Sequence, residues 1–222
     1  MVASVSAIFH DHSSSYSSEE VVYVGGKGKG GGHKHGGEGR GEGGSRGNLN
    51  RGCPAGWFRS DRPSGGWCIQ VFAGRHMQPD AEKICKTHGA TLSGLQSAAE
   101  IQKVTDAALK VIGFPAGALW IGGARRANCM LTGINSACTY TNSFVWTDVS
   151  ASGTEGFIWQ TKQPDNAHYK QPCIALLASS TPITDYQTWY NGRLDDLTCY
   201  LPNDLATQRA LRGFVCGKRA AI

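Results

Sequence analysis

Residues 113–123 read Gly-Phe-Pro-Ala-Gly-Ala-Leu-Trp-Ile-Gly-Gly and divide the chain into two parts of different character. The Gly-Phe-Pro segment contains the two residue types that most often interrupt regular structure. The short apolar run Ala118-Leu-Trp-Ile121 that follows it is typical of a buried β-strand. Helix signals lie before this stretch, and strand signals lie at and after it.

Two helices are predicted before this stretch. The segment from Gln78 to Gly89 has a proline at its start, an acidic residue in its first turn and a glycine at its end. The segment Ser97-Ala-Ala-Glu100 is a capping box that opens a second helix. The apolar side chains expected to face inward on this second helix are Ile101, Val104, Ala108 and Val111.

Short β-rich segments separated by long loops make up the rest of the chain. They are Ala118–Ile121, Phe144–Trp146, Gly156–Trp159, Cys173–Leu177 and Gly213–Cys216. Two helices followed by irregular antiparallel strands indicate an α+β fold rather than an alternating βαβ fold. The long loops at 160–172 and 179–195 are the expected functional segments, since loops of this length inside a domain usually carry function.

The cysteines indicate a chain stabilised by disulfides. All eight follow residue 50, and no two have the C-x-x-C spacing of a zinc ribbon or a thioredoxin. Four disulfides formed in an oxidising compartment are therefore expected, and with them secretion. Spacing alone leaves 105 possible pairings open.

The charge of the chain does not indicate a nucleic-acid partner. The formal net charge is +5, but the first 50 residues contain five basic and five acidic side chains. The excess therefore lies on the remainder, where the basic residues are dispersed and the adjacent pairs are Arg125-Arg126 and Lys218-Arg219. No apolar run approaches the ~20 residues of a membrane span.

The N-terminal 50 residues are not expected to contribute to a core. Residues 1–7 resemble the end of a signal peptide, with Val5 and Ala7 at the positions that a signal peptidase reads. Residues 8–50 include thirteen glycines between Gly25 and Gly47 and are expected to form a disordered tail. Residues 51–222 are predicted to form the folded domain.

Several motifs in this domain, taken together, resemble the C-type lectin-like family in its long form. The first is Cys53-Pro-Ala-Gly-Trp57, with a first loop that closes at Trp67-Cys68. The two helices and Trp120-Ile-Gly-Gly123 follow, and then Trp146-Thr-Asp148. The last part of the pattern is Trp159 with Gln163-Pro-Asp-Asn166, followed by Cys173, Cys199 and Phe214-Val-Cys216.

This resemblance implies a C-type lectin-like fold and an extracellular carbohydrate-binding protein, with a role in innate immunity. It also implies the disulfides Cys53–Cys68, Cys85–Cys216 and Cys173–Cys199. Cys129 and Cys138 are left as a further pair that would close an inserted loop.

The resemblance further implies a calcium site at Gln163-Pro164-Asp165, because the family uses such a triplet to hold an ion that binds sugar hydroxyls. Gln-Pro-Asp generally accompanies galactose-like sugars in this family. The ligand set would be Gln163, Asp165, Gln171, Asp195 and Asp196, which offers the oxygens that calcium requires. The sugar is expected to contact Gln163, Asp165, Asn166, His168, Tyr169 and Trp189. A second Gln-Pro-Asp, at 78–80, is explained as a helix start.

Two positions depart from the family pattern. Gln171 stands where the family has a glutamate, and Leu194-Asp195-Asp196 stands where it has Trp-Asn-Asp. One carboxylate is lost and one is gained, so the predicted site keeps three.

The same two departures favour an alternative, a calcium-independent protein-binding module on the same fold. Catalysis is not expected, since the predicted domain at residues 51–222 has no Gly-x-Ser-x-Gly motif and the cysteines are assigned to disulfides. The sequence does not indicate an oligomeric state.

Overall fold

The computed structural model describes residues 51–200 and 207–222 of the 222-residue chain. The predictions for residues 1–50 therefore lie outside the described residues. The described helices are α1 (Gln78–Thr87) and α2 (Ala98–Val111). The strands are β1 (Phe58–Arg62), β2 (Gly65–Ala73), β3 (Thr91–Leu92), β4 (Ala116–Arg125), β5 (Phe144–Trp146), β6 (Cys173–Ser179), β7 (Ile183–Thr184), β8 (Thr188–Trp189), β9 (Leu194–Leu197) and β10 (Leu211–Arg219).

Both helices begin where the sequence predicts. Pro79 lies in the first turn of α1, where it costs no hydrogen bond. The Ser97 side chain accepts a hydrogen bond from the Glu100 backbone N–H at the start of α2. One inward position was wrong: Val111 is exposed, and Ile112, the residue after it, is buried.

The main sheet has the order β1-β2-β10-β4-β6-β9. Neighbouring strands are antiparallel except β10 and β4, which are parallel, with Phe214 opposite Trp120. β3 adds to β10, β5 adds to β4, and β7 and β8 form a separate hairpin. The α+β fold class predicted from the sequence is confirmed, and β4, the strand with which the sequence changes character, lies near the middle of the sheet.

The Trp-Ile-Gly-Gly motif of β4 reflects a close approach between backbones. Gly122 donates a hydrogen bond to the Ser93 carbonyl at 2.8 Å. A Cβ atom at Gly122 would lie 2.1 Å from the Leu92 carbonyl oxygen. Only glycine fits at this position without moving backbone.

Two expectations about strands require correction. Residues 156–159 form no strand, because Gly156 packs against the Leu95 carbonyl and Trp159 makes a single bridge to Leu194. The hairpin of β1 and β2 was not among the predicted strands, since its sequence is interrupted by charged and glycine residues.

The structure contains the three disulfides that the resemblance implies, Cys53–Cys68, Cys85–Cys216 and Cys173–Cys199, and the remaining pair Cys129–Cys138. The first ties the start of the domain to β2, and the second ties α1 to β10. The third closes the inserted loop, and the fourth joins β6 to the segment after β9.

A buried ion cluster lies beside the first hairpin. Arg62 donates to Glu100 at 2.6 Å and to Asp148 at 2.8 Å, and none of the three side chains is more than 2% exposed. Glu100 was predicted only as a capping residue. Its carboxylate instead accepts from Arg62, Ser60 and the Gln96 backbone N–H, so that the helix start is tied to the core.

The two ends of the domain lie side by side. The Ala221 backbone N–H donates to the Gly52 carbonyl at 2.7 Å, and Ala220 donates to Gly66 at 2.9 Å. Across the described residues, neither helix has the length and apolarity required to span a bilayer.

Candidate functional site

The two segments predicted to form the site meet at the β6–β9 edge of the sheet. β6 pairs with β9 so that Ile174 lies opposite Asp196, and the Cys173–Cys199 disulfide closes the same edge. Leu194, which replaces the family tryptophan, is fully buried and forms a bridge with Trp159. The smaller side chain therefore still packs under the loop that carries Gln163.

Asp196 anchors that loop from below. One carboxylate oxygen, Oδ1, accepts the Asp165 backbone N–H at 3.0 Å. The other, Oδ2, accepts the Asn166 backbone N–H at 2.8 Å and also a hydrogen bond from Arg125. The Asp196 side chain is completely buried, so its two oxygens serve these internal contacts.

Arg125 supplies the positive charge opposite Asp196. It extends from the end of β4, donates through Nε to the Gln171 carbonyl at 3.0 Å and lies over the Phe144 ring. Burial lowers the pKa of the Arg125 guanidinium and raises the pKa of the Asp196 carboxyl, and the contact between the two groups opposes both shifts. The pair is a buried ion pair that fixes three segments together.

Asp195 faces the other side of β9, where its carboxylate lies 3.8 Å from Arg209. Burial raises the pKa of Asp195 to about 7, with further contributions from the negative charges of Asp196 and Asp165, while Arg209 acts in the opposite direction. Arg209 also donates to Asp185 at 3.0 Å and stacks on Trp189 at 3.9 Å. The Asp195 carboxyl therefore has both negatively charged neighbours and the positively charged Arg209 close to it.

The Gln-Pro-Asp loop also makes hydrogen bonds among its own polar groups. The Gln163–Pro164 peptide is cis, and the Gln163 side-chain oxygen accepts the Asp165 N–H at 3.0 Å. The exposed Asp165 carboxylate accepts the Ala167 N–H at 3.1 Å. Gln171 accepts the same N–H at 2.6 Å, so its side chain points back into the loop.

Asn166 joins this loop to the inserted loop closed by Cys129–Cys138. Its buried side-chain nitrogen donates to the Met130 carbonyl at 2.9 Å and to the Thr132 carbonyl at 2.8 Å. Its side-chain oxygen accepts the Gln171 N–H at 3.2 Å. Asn166 therefore has a structural role that its predicted ligand contact did not anticipate.

The aromatic candidates differ in exposure. His168 and Tyr169 are exposed on a single 3-10 turn, Ala167–Tyr169, next to the loop. Trp189 is 1% exposed and packs in the core with Ile183 and Leu177, covered by Arg209. The predicted sugar contact of Trp189 is therefore corrected to a core role.

The residues in this arrangement do not fit a calcium ion. Calcium requires six to eight oxygen ligands. Both Asp196 oxygens and the Gln171 oxygen are occupied by internal donors, and the Arg125 cation contacts Asp196 directly. Within residues 51–200 and 207–222, no group of three or more His, Cys, Asp or Glu side chains is arranged to hold a metal.

Sequence reasoning missed the two arginines of the site. Arg125 was considered only as part of a basic pair, and Arg209 was not singled out. Arg125 is the last residue of β4, the strand that carries Trp-Ile-Gly-Gly, and it comes near β6 and β9 because these strands follow β4 in the sheet. Arg209 carries no comparable signal, because it lies in an irregular segment before β10.

Comparison with known proteins supports the assignment of the fold. The family model described as C-type lectin domain-containing protein 141/158 matches residues 59–219. Ladderlectin of Oncorhynchus mykiss is 29% identical over 125 residues, which cover 56% of this chain and 55% of that protein. The chain thus spans about half the length of this relative. C-type lectin BML-2 of Bungarus multicinctus is 27% identical over 154 residues, 67% of this chain and 81% of that protein.

Among solved structures, the cow C-type carbohydrate-recognition domain of CD23 superposes with a TM-score of 0.48 at 20% identity. The alignment covers 77% of this chain and 98% of that one. The sequence motifs, the disulfides and the family match over residues 59–219 lead to the same result: this chain belongs to the C-type lectin domain family.

Proposed function

We propose that this chain is an extracellular carbohydrate-binding module that holds its binding loops in place without calcium. The observation that carries the proposal is the state of Asp196, whose two oxygens accept from two loop N–H groups and from Arg125. The guanidinium supplies fixed positive charge beneath the loop. No calcium ion is then required to neutralise the buried carboxylate.

Three observations support binding outside the cell rather than catalysis. The family is one of lectin domains, and the match covers most of the described chain. Four disulfides are typical of an oxidising compartment. The loop also presents polar and aromatic side chains, Asp165, His168 and Tyr169, on an exposed surface.

The test is thermal unfolding in calcium and in chelator, combined with retention on immobilised neutral and acidic glycans in chelator. We expect the same midpoint in both buffers and retention on at least one glycan without calcium. Asp165→Asn is the matched variant for a calcium site, and its midpoint should respond to calcium no differently from that of the wild type.

A rise in midpoint with calcium that is lost in Asp165→Asn would contradict this proposal. It would support the calcium-dependent, galactose-type binding that the Gln-Pro-Asp triplet predicts. Equal midpoints without retention on any glycan would contradict the carbohydrate part and support the protein-binding alternative. Galactose preference and the role in innate immunity stay predictions.

A further inference from the structure

An open cleft lies next to the Gln-Pro-Asp loop, on the side of residues 157–163. Its volume is about 450 Å³, within the range of 300–1,000 Å³ that is typical of ligand sites. The walls include Tyr140, Phe157, Trp159, Lys162, Gln163 and Arg193. None of the lining residues is acidic. The predicted calcium ligands other than Gln163 do not line it.

The aromatic wall of the cleft is rigid. The Trp159 ring lies parallel to Phe157, with 3° between the ring planes, and its indole N–H donates to the Tyr140 carbonyl at 2.7 Å. Phe144 packs against the same ring at 5.1 Å. A ring fixed in this way can stack against the apolar face of a sugar without losing side-chain freedom on binding.

The inserted loop positions the second aromatic residue. Tyr140 lies two residues after Cys138, and the Thr139 backbone N–H and carbonyl bond to Asn142 and Ser143. Tyr140 is 52% exposed and lines the cleft, so it is not part of the core. The Cys129–Cys138 insertion therefore builds one wall of the cleft.

Two positive charges stand at the cleft without internal partners. Lys162 and Arg193 are exposed, and within residues 51–200 and 207–222 the side chain of neither forms an ion pair or hydrogen bond. Arginine and lysine elsewhere in this domain are often paired, as Arg62, Arg125 and Arg209 are. Gln163 also lines the cleft, and its side-chain oxygen already accepts from the Asp165 N–H, which leaves its N–H₂ group as the donor for a ligand.

From this combination we infer that the cleft binds an anionic saccharide, a sugar unit that carries a carboxylate or a sulfate ester. The sugar ring would stack on Trp159 and Tyr140, and the anionic group would accept hydrogen bonds from Lys162 and Arg193. Charge-assisted hydrogen bonds to such groups are stronger than neutral ones. This inference rests on the proposed function and names the ligand class for it.

The test is isothermal titration in chelator with matched tetrasaccharides: sulfated chondroitin, unsulfated chondroitin and neutral di-N-acetyllactosamine. We expect the charged sugars to bind at least about tenfold more tightly than the neutral one. The difference in affinity between the two chondroitins shows whether the protein recognises the sulfate or the carboxylate. Binding should weaken as salt is raised, because exposed charges are screened.

The critical variant is Lys162→Gln/Arg193→Gln, with Lys103→Gln/Lys110→Gln as its control. The control removes the same charge from exposed positions on α2, away from the cleft. We expect affinity for the charged sugar to fall about tenfold or more in the cleft variant and to stay unchanged in the control. Tyr140→Ala should weaken both charged and neutral sugars while the thermal midpoint is kept.

An equal loss in both double variants would overturn the inference, since binding would then reflect net charge alone. Tighter binding to hexaglutamate than to any charged sugar would also overturn it, in favour of an acidic protein ligand. Binding of neutral and charged sugars with equal affinity in chelator would refute the inference and leave the proposed function intact. Binding only with calcium would refute the proposed function instead.

Discussion

At the scale of single residues, one carboxylate explains why the loop keeps its shape. Asp196 satisfies two backbone donors of the Gln-Pro-Asp loop and is balanced by Arg125. Removing one member of a buried pair leaves an uncompensated charge. The conformation of the Gln-Pro-Asp loop therefore depends on the ion pair between Asp196 and Arg125.

Arg125→Gln is expected to lower the free energy of unfolding by about 3–5 kcal/mol, the usual cost of breaking a buried ion pair. Arg126→Gln is the matched control, because the neighbouring side chain is exposed. Urea denaturation of both variants measures the difference. Equal stability of the two variants would show that Asp196 does not depend on Arg125.

The raised pKa of Asp195 leads us to expect that the free energy of unfolding depends on pH. Its pKa of about 7 in the folded protein exceeds the ordinary value of 3.8, so the folded state binds its proton more tightly than the unfolded state. Stability should therefore fall as the pH rises from about 4 to about 7, because the folded state increasingly has to ionise a buried carboxyl.

Asp195→Asn should remove this slope. A shift of this size corresponds to about 4 kcal/mol in full, and we expect about 1–2 kcal/mol because solvent screens the partly exposed side chain. The variant should be more stable than the wild type at pH 8 and equal to it at pH 3. Urea midpoints across this range, measured in chelator, provide the check, and an unchanged slope would assign the titration to another group.

At the scale of elements, strand β4 shows how much the sequence determines. Its apolar run, the helix start at Ser97 and the family motifs were enough to place the two helices and the central strands. Residues 156–159 have the same apolar character as a strand, yet they lie in a loop because Gly156 contacts the Leu95 carbonyl. An apolar pattern indicates that a segment is buried. Residues 156–159 are buried by side-chain packing and do not form the hydrogen-bond ladder of a β-strand.

That the two segments of the site meet was predictable from the sequence, but the contacts between them were not. The motifs placed Gln163, Asp165 and Asp196 at one edge, and the structure brings them together. The sequence does not show that Asp196 turns its oxygens toward backbone N–H groups and an arginine. Such a choice depends on distances of a few ångström between segments about 30–70 residues apart.

Gly122→Ala should destabilise the domain more than Gly123→Ala. A Cβ atom at Gly122 meets a backbone carbonyl at 2.1 Å, whereas at Gly123 it meets the movable end of the Ile174 side chain at 2.4 Å. We expect a loss of about 3 kcal/mol for the first and about 1 kcal/mol for the second. Urea denaturation compares the two directly, and the reverse order would contradict the account of this close approach.

At the scale of the whole molecule, the disulfides differ in the length of chain that they enclose. Cys85 and Cys216 are 131 residues apart, and Cys129 and Cys138 are 9 apart. Cross-links stabilise mainly by restricting the unfolded chain, and the effect grows with loop length. The first disulfide should therefore contribute to global stability, and the second mainly to the local shape of the inserted loop.

Replacing Cys85 and Cys216 by alanine should cost about 5 kcal/mol, and replacing Cys129 and Cys138 about 2–3 kcal/mol. Urea denaturation of the two double variants tests this order. Loss of a cooperative transition in the first variant alone agrees with it. An equal or larger loss in the second variant would contradict it.

The neighbouring ends of the domain have a mechanical consequence. A pulling force applied at Gly52 and Ala221 crosses from Cys53 to Cys68, follows β2 and α1, and crosses from Cys85 to Cys216. Residues 86–215 lie inside the loop closed by Cys85–Cys216, outside this covalent path. The segments that meet the ligand would keep their shape while the module is stretched between two attachment points.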